Sequence, residues 1–189
     1  GRNGAGKSTV LNMIARRIEK TSGDITLDGV DLHKTPRAMH QVYLSSTENW
    51  FPKEYKFKDL LSIYKKTYPE FDSDFAEDLI KVFGVNVKER FSKASTGYQS
   101  IMKIILALCN PSEYIFMDEP VLGLDANHRH IFNKKLLEAY ARNPRTFVIA
   151  THLIEEVATI LEKVIVIKDG VVTEEVMVEE VLGKGYVVS

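Results

Sequence analysis

The sequence predicts an α/β fold, a mostly parallel sheet flanked by helices, with an inserted helical subdomain and a small antiparallel β portion. Three observations predict it. The chain opens on a glycine-rich loop, GRNGAGKST, of the kind that leads from a strand into a helix. Two short apolar runs, YIFMDEP and RTFVIATH, read as buried strands and are separated by helical periods. The 189 residues are 44% apolar and 27% charged, which suits one domain with a buried core.

The elements follow in order. In STVLNMIARRIEK, Leu11, Ile14 and Ile18 share one helical face, with Arg16 and Arg17 outward. GDITLDGVDL reads as two strands joined by an Asp28-Gly29 turn, and QVYLS (41–45) as a short buried strand. Residues 57–83 read as two helices broken at Pro69, the second restarting near Asp72–Asp74, which can cap it. The loop FSKASTGYQS leads into an apolar helix ending at Leu108. After the strand YIFMDEP come the helix ANHRHIFNKKLLEAYARN, the strand RTFVIATH and a helix over LIEEVATILEK. KVIVIKDGVVTEEV closes with two strands joined by an Asp169-Gly170 turn.

Bulk properties narrow the function. A net charge of −1 gives no electrostatic pull toward nucleic acid or anionic lipid. The single cysteine, Cys109, excludes an internal disulfide and a multi-cysteine metal site, and its apolar surroundings make it a small core residue. No apolar stretch approaches the roughly 18–20 residues of a membrane helix, and Lys103 interrupts IMKIILALC. Because the chain begins directly on the phosphate-loop pattern, we expect no signal peptide and a cytoplasmic setting.

Three constellations carry chemistry. The first fits G-x-x-x-x-G-K-[ST]: backbone N–H groups of Asn3, Gly4, Ala5, Gly6, Lys7, Ser8 and Thr9 converge on phosphate oxygens. Lys7 reaches the β and γ oxygens, the Ser8 hydroxyl can hold Mg²⁺, and the next helix aims its positive end at the same anion. The second is the strand end Asp118-Glu119: Asp118 would hold Mg²⁺ directly or through water, and Glu119 would act as general base on, or polarise, the water attacking the γ-phosphate. The third is His152, just past TFVIA, which could report on the γ-phosphate. Each has a plainer reading: a glycine-rich helix entry, a solvated acid pair, a helix-capping histidine.

In this order the three resemble the nucleotide-binding ATPase subunits of ABC transporters, over essentially the whole chain. GRNGAGKST corresponds to the Walker A loop, YIFMDE to Walker B with its catalytic Glu119, LGLD (122–125) to the D-loop with Asp125, and ATH to the histidine switch. The resemblance implies a core from 1–46 and 111–189 and a helical subdomain over 47–110. It also implies ATP and Mg²⁺ as ligands. The partners implied are a membrane permease and a head-to-tail dimer of identical or related ATPases, peripheral on the inner face of the membrane.

The family's signature loop matches Ala94-Ser95-Thr96-Gly97-Tyr98, which keeps only its Ser and second Gly. By the resemblance, Ser95 and Gly97 face the γ-phosphate of ATP on the opposite subunit, and Thr96 crowds it. The family's Q-loop glutamine aligns with Ser46, which can still reach the metal through water, with Glu48 as a nearby alternative. The helical stretch is similar to ATPases of drug, antibiotic-peptide or lantibiotic exporters of Gram-positive bacteria. Trp50, Phe51 and Tyr55 either dock a permease or pack beneath the insertion. The family carries roughly 30 residues of strand before its phosphate loop, including an adenine-stacking aromatic, and we expect the chain to lack them. A non-transport ABC protein and a regulatory module without turnover are the rival readings.

Overall fold

The computed structural model describes residues 4–178. Gly6, in the left-handed region at φ 100°, opens α1 (Lys7–Ile14), which is shorter than the sequence pattern implies. Arg16 turns left-handed at φ 54°, so Ile18 leaves the helical face and lies 43% exposed. The Arg17 side chain, expected outward, instead donates from Nη2 to the Leu44 carbonyl at 3.1 Å. The strands β1 (Thr26–Leu27) and β2 (Val30–Asp31) pair antiparallel through Asp28 and Gly29, both at positive φ, the geometry of a tight two-residue hairpin turn.

A short helix α2 (Pro36–His40) leads to β3 (Val42–Ser45). Next come α3 (Phe57–Thr67) and α4 (Ser73–Val82). The break falls where Tyr68-Pro69 disfavours helical backbone, and Asp72 caps α4 by accepting from the Phe75 N–H at 2.9 Å. The helix α5 (Thr96–Leu108) carries more buried residues than any other described element: residues 101, 102 and 104–108 are all inside. Burying one such side chain stabilises the fold by about 1.5–3 kcal/mol before ordering costs, so α5 anchors the core.

The strand β4 (Tyr114–Asp118), the helix α6 (Ala126–Arg142) and the strand β5 (Thr146–Ala150) follow. The order β3-β4-β5 is parallel throughout, so all three strands end on one edge. Met117 lies opposite Ser45 and Ile149, and Asp118 opposite Ala150. The helices α3 to α5 share one continuous hydrophobic cluster with β3, β4 and α6. Cys109 sits in that cluster, and burial pushes its thiol far above the usual range.

The expected helix over 153–163 is absent. Two 3₁₀ turns, Ile154–Glu156 and Ala158–Ile160, stand there, because Val157 takes a non-helical φ of −125° to bury its side chain completely. The run's β-branched residues support a helix weakly, and Glu156 is tied to α6 by Arg129 and by Asn133 Nδ2. A hairpin, β6 (Lys163–Lys168) and β7 (Val171–Met177), closes the described chain. Among the described residues no helix is long and apolar enough to cross a membrane.

Asp72 also accepts from Arg142 of α6 through Nε at 3.2 Å and Nη2 at 2.9 Å. Replacing Asp72 with Ala is expected to lower unfolding free energy by about 1–2 kcal/mol, read as a lower urea midpoint at unchanged slope.

Candidate functional site

The parallel edge gathers the chemistry. Asp118 ends β4 and is 6% exposed. Ser8, Lys7 and Thr47 all act on its carboxylate to favour the charged form, and Thr47 lines one cavity with it. Burial raises its pKa above the ordinary range, and the neighbouring Glu119 adds to this, while Ser8, Lys7 and Thr47 pull it back. Its Oδ1 is buried with no hydrogen-bond partner among the described residues.

A buried carboxylate oxygen without a partner is costly unless a cation completes it. Mg²⁺ characteristically takes one or two protein oxygens and fills its shell with waters and substrate phosphates. Ser8 and Asp118 supply such a partial set, and among the described residues no group of three or more His, Cys, Asp or Glu forms a full cage. The donors present therefore fit Mg²⁺ carried with a phosphate ligand.

Glu119 lies one residue beyond the strand, at φ 49°, in a region that costs a non-glycine residue about 1 kcal/mol or more. Its N–H donates to the Ala150 carbonyl at 2.7 Å, which holds the turn. The turn sends the carboxylate across to the end of β5. There Oε2 accepts from the Thr151 hydroxyl at 2.8 Å, and Oε1 from the His152 N–H at 3.1 Å. His152 Nδ1 lies 2.9 Å from the same Oε1. An ionised carboxylate only accepts, so Nδ1 carries a proton and Nε2 faces away from Glu119.

The third wall is the loop after β3. Ser46 is buried, and its hydroxyl accepts from the Glu48 N–H at 3.0 Å. From α5, the Lys103 ammonium donates to the carbonyls of Ser46 at 2.8 Å, Thr47 at 2.9 Å and Glu48 at 3.1 Å. Burial, reinforced by the charge of Arg17, pushes its pKa down to about 8.

Known proteins are similar to this chain in sequence and in fold. The family model described as "ABC transporter" matches residues 1–122. The chain belongs to the ABC transporter family. It is similar to the ABC transporter ATP-binding protein NatA of Bacillus subtilis (strain 168), 32% identical over 177 residues, covering 90% of this chain and 72% of NatA. It is 28% identical over 180 residues to the ABC transporter ATP-binding protein YtrB of the same organism, covering 95% of this chain but only 62% of YtrB's length. Among solved structures, it shares the fold of a dimeric ATP-binding cassette captured in a post-hydrolysis state with ADP and Pi. That match has a TM-score of 0.78 at 21% identity and covers 94% of this chain and 83% of the other.

Within this ABC fold, Asp118, Glu119 and His152 lie together at one edge, with Lys7 and Ser8 acting on Asp118. Asn3 lies outside the described residues, and Gly4, Ala5 and Thr9 extend the loop beside them. Ser46 and Thr47 both line the cavity beside Asp118, and the Ser46 hydroxyl accepts from the Glu48 N–H. Asp125 caps α6, accepting from the His128 N–H at 2.8 Å. Ser95 caps α5, accepting from the Tyr98 N–H at 3.3 Å. Of the three aromatics, Trp50 is 68% exposed, whereas Phe51 packs edge-on against Phe91 and Tyr55 lies against the core.

Thr47, Thr151 and Lys103 also lie at this edge, and the motif reading did not single them out as candidates. Only Lys103 left a sequence signal, a lone cation inside an apolar helical run. Gly97 has a local constraint as well. A Cβ there would meet the Gly123 carbonyl oxygen at 2.3 Å, so the signature loop and the LGLD loop touch backbone to backbone. The Ser100 hydroxyl adds a bond to the Leu122 carbonyl at 2.9 Å.

Gly97→Ala is therefore expected to destabilise the protein by about 1–3 kcal/mol, seen as a lower melting temperature with or without nucleotide. Asp118→Asn works in the opposite sense on the nucleotide-free protein. A raised carboxyl favours the folded state below the ordinary carboxylate range, and that contribution is lost as pH rises through the folded value. At neutral pH the variant should melt about 2–4 °C above wild type, and the gap should close in acid.

Proposed function

We propose that the chain binds Mg·ATP and hydrolyses it as the nucleotide-binding subunit of an ABC transporter, driving a separate membrane permease. The observation that carries the proposal is the convergence of Ser8, Asp118, Glu119 and His152 on one parallel edge, with Asp118 Oδ1 lacking a partner among the described residues. A pure binding module has no use for a second acid held against a histidine beside the metal carboxylate.

The loop amides and Lys7 would cradle the β- and γ-phosphates at the N-terminus of α1. Mg²⁺, held by Ser8 and Asp118, would offset the charge on the transferring phosphoryl group. Glu119 stands next to that position and would orient the attacking water and accept its proton. Thr151 and the His152 N–H fix the carboxylate, so its direction is set before substrate arrives. With its Nδ1 proton facing Glu119, a neutral His152 ring offers Nε2 only as an acceptor. It can donate to a γ-phosphate oxygen as an imidazolium or after releasing Glu119, and either way ties phosphate sensing to the base.

The dimeric, ADP- and Pi-bound cassette of the same fold supports a two-copy arrangement, with Ser95 and Gly97 of one copy closing the other's site. Docking on a permease would place the chain at the inner membrane face. The likeness of its helical stretch to exporters favours export, with the 47–110 subdomain carrying the motion.

The deciding experiment compares full-length wild type with Glu119→Gln. Wild type should turn over ATP in a Mg²⁺-dependent way, and Glu119→Gln should lose about 10²–10⁴-fold in kcat while forming a stable ATP-dependent dimer. A wild type that binds ATP without turnover would make the chain a regulatory module instead.

A further inference from the structure

The geometry points to Lys103 as a positioning residue that fixes the loop after β3 to α5, so that the metal-side loop and the helix bearing the signature serine move as one body. The effect on catalysis rests on the ATPase reading; the mechanical clamp does not.

One carbonyl of β3 and three of the loop after it show how this segment is held. Leu44 accepts from Arg17, which follows α1, and Ser46, Thr47 and Glu48 all accept from the Lys103 ammonium. An ammonium has three N–H donors, and here every one meets a loop carbonyl at 2.8–3.1 Å. Charge-assisted bonds of this kind are stronger than neutral ones, and partial burial keeps water from competing. The ammonium also lies 5.9 Å from the Phe91 ring centroid, in the segment leading to Ser95.

The geometry matters because of what the clamped loop carries. Thr47, the middle residue of the gripped trio, lines one cavity with Asp118 and acts on its carboxylate. Ser46 closes its own turn on Glu48, so the loop has an internal brace and an external one. The helix α5 begins at the Ser95 cap and, one turn on, carries Ser100 bonded to the LGLD loop. A displacement of α5 would therefore be passed by Lys103 to the loop beside the metal carboxylate without crossing the sheet.

The test uses Lys103→Met, which keeps the apolar stem, and Lys103→Arg, whose planar fork cannot match three diverging carbonyls. Hydrogen exchange is followed by mass spectrometry on full-length protein without nucleotide, and ATPase kinetics are measured alongside. In Lys103→Met, exchange over residues 45–50 should rise roughly tenfold or more while α5 and β4 stay protected. Lys103→Arg should show a smaller rise in the same segment, and decides the matter alone if the Met variant does not fold. The kcat of Lys103→Met should fall about tenfold with the KM for ATP nearly unchanged. Unchanged exchange over 45–50, or a rise spread equally through α5 and β4, overturns the clamp. Altered loop exchange with unchanged kcat overturns its role in positioning. If wild type itself shows no turnover, the ATPase reading fails while the exchange result still judges the clamp.

Discussion

The register that sets Asp118 opposite Ala150 and Met117 opposite Ser45 is the constraint on which the candidate site depends, because it makes three strands stop at one level. Parallel pairing alone would leave the ends staggered. Here the residues just past each strand are neighbours: Ser46 and Thr47, then Glu119, then Thr151 and His152. The register is locked from below by α5 and the inward faces of β4, where Ile115 and Met117 are buried. A slip of one residue would turn both away from the core they fill and move Asp118 out of its place at the strand end.

Much of this was legible in the sequence, and for a physical reason. Short apolar runs ending in polar residues encode both a buried strand and the place where its chemistry emerges, so β4 and β5 and their terminal acids and histidine could be read directly. The Asp-Gly pairs encode hairpin turns just as locally, since few other residues accept the positive φ found at Asp28, Gly29, Asp169 and Gly170. The helix misread over 153–163 shows the limit. There Val157 adopted an unhelical backbone to reach the core, a tertiary demand that periodicity does not record.

The parts that sequence did not reveal are those made by backbone carbonyls and long side chains. Lys103 binds three carbonyls, Arg17 binds one, and no residue-type pattern announces a carbonyl acceptor. Ser46 and Thr47 both reach the cavity beside Asp118, and the turn that closes Ser46 on Glu48 after β3 is not written in any motif. The departures in the signature loop are similar. Gly97 answers to Gly123 of the same chain, so the retention of glycine there has a local cause in addition to any role toward a second copy.

The hairpin between β6 and β7 touches the phosphate loop at one point: the Gly170 N–H donates to the Ala5 carbonyl at 3.0 Å, and Gly170 packs against Gly6. The two partners are separated by nearly the whole described sequence. The curvature that the phosphate loop can offer an anion therefore has a backbone support supplied from the far end of the described chain, and a change that shifts the Asp169-Gly170 turn would reach Ala5 and Gly6 directly.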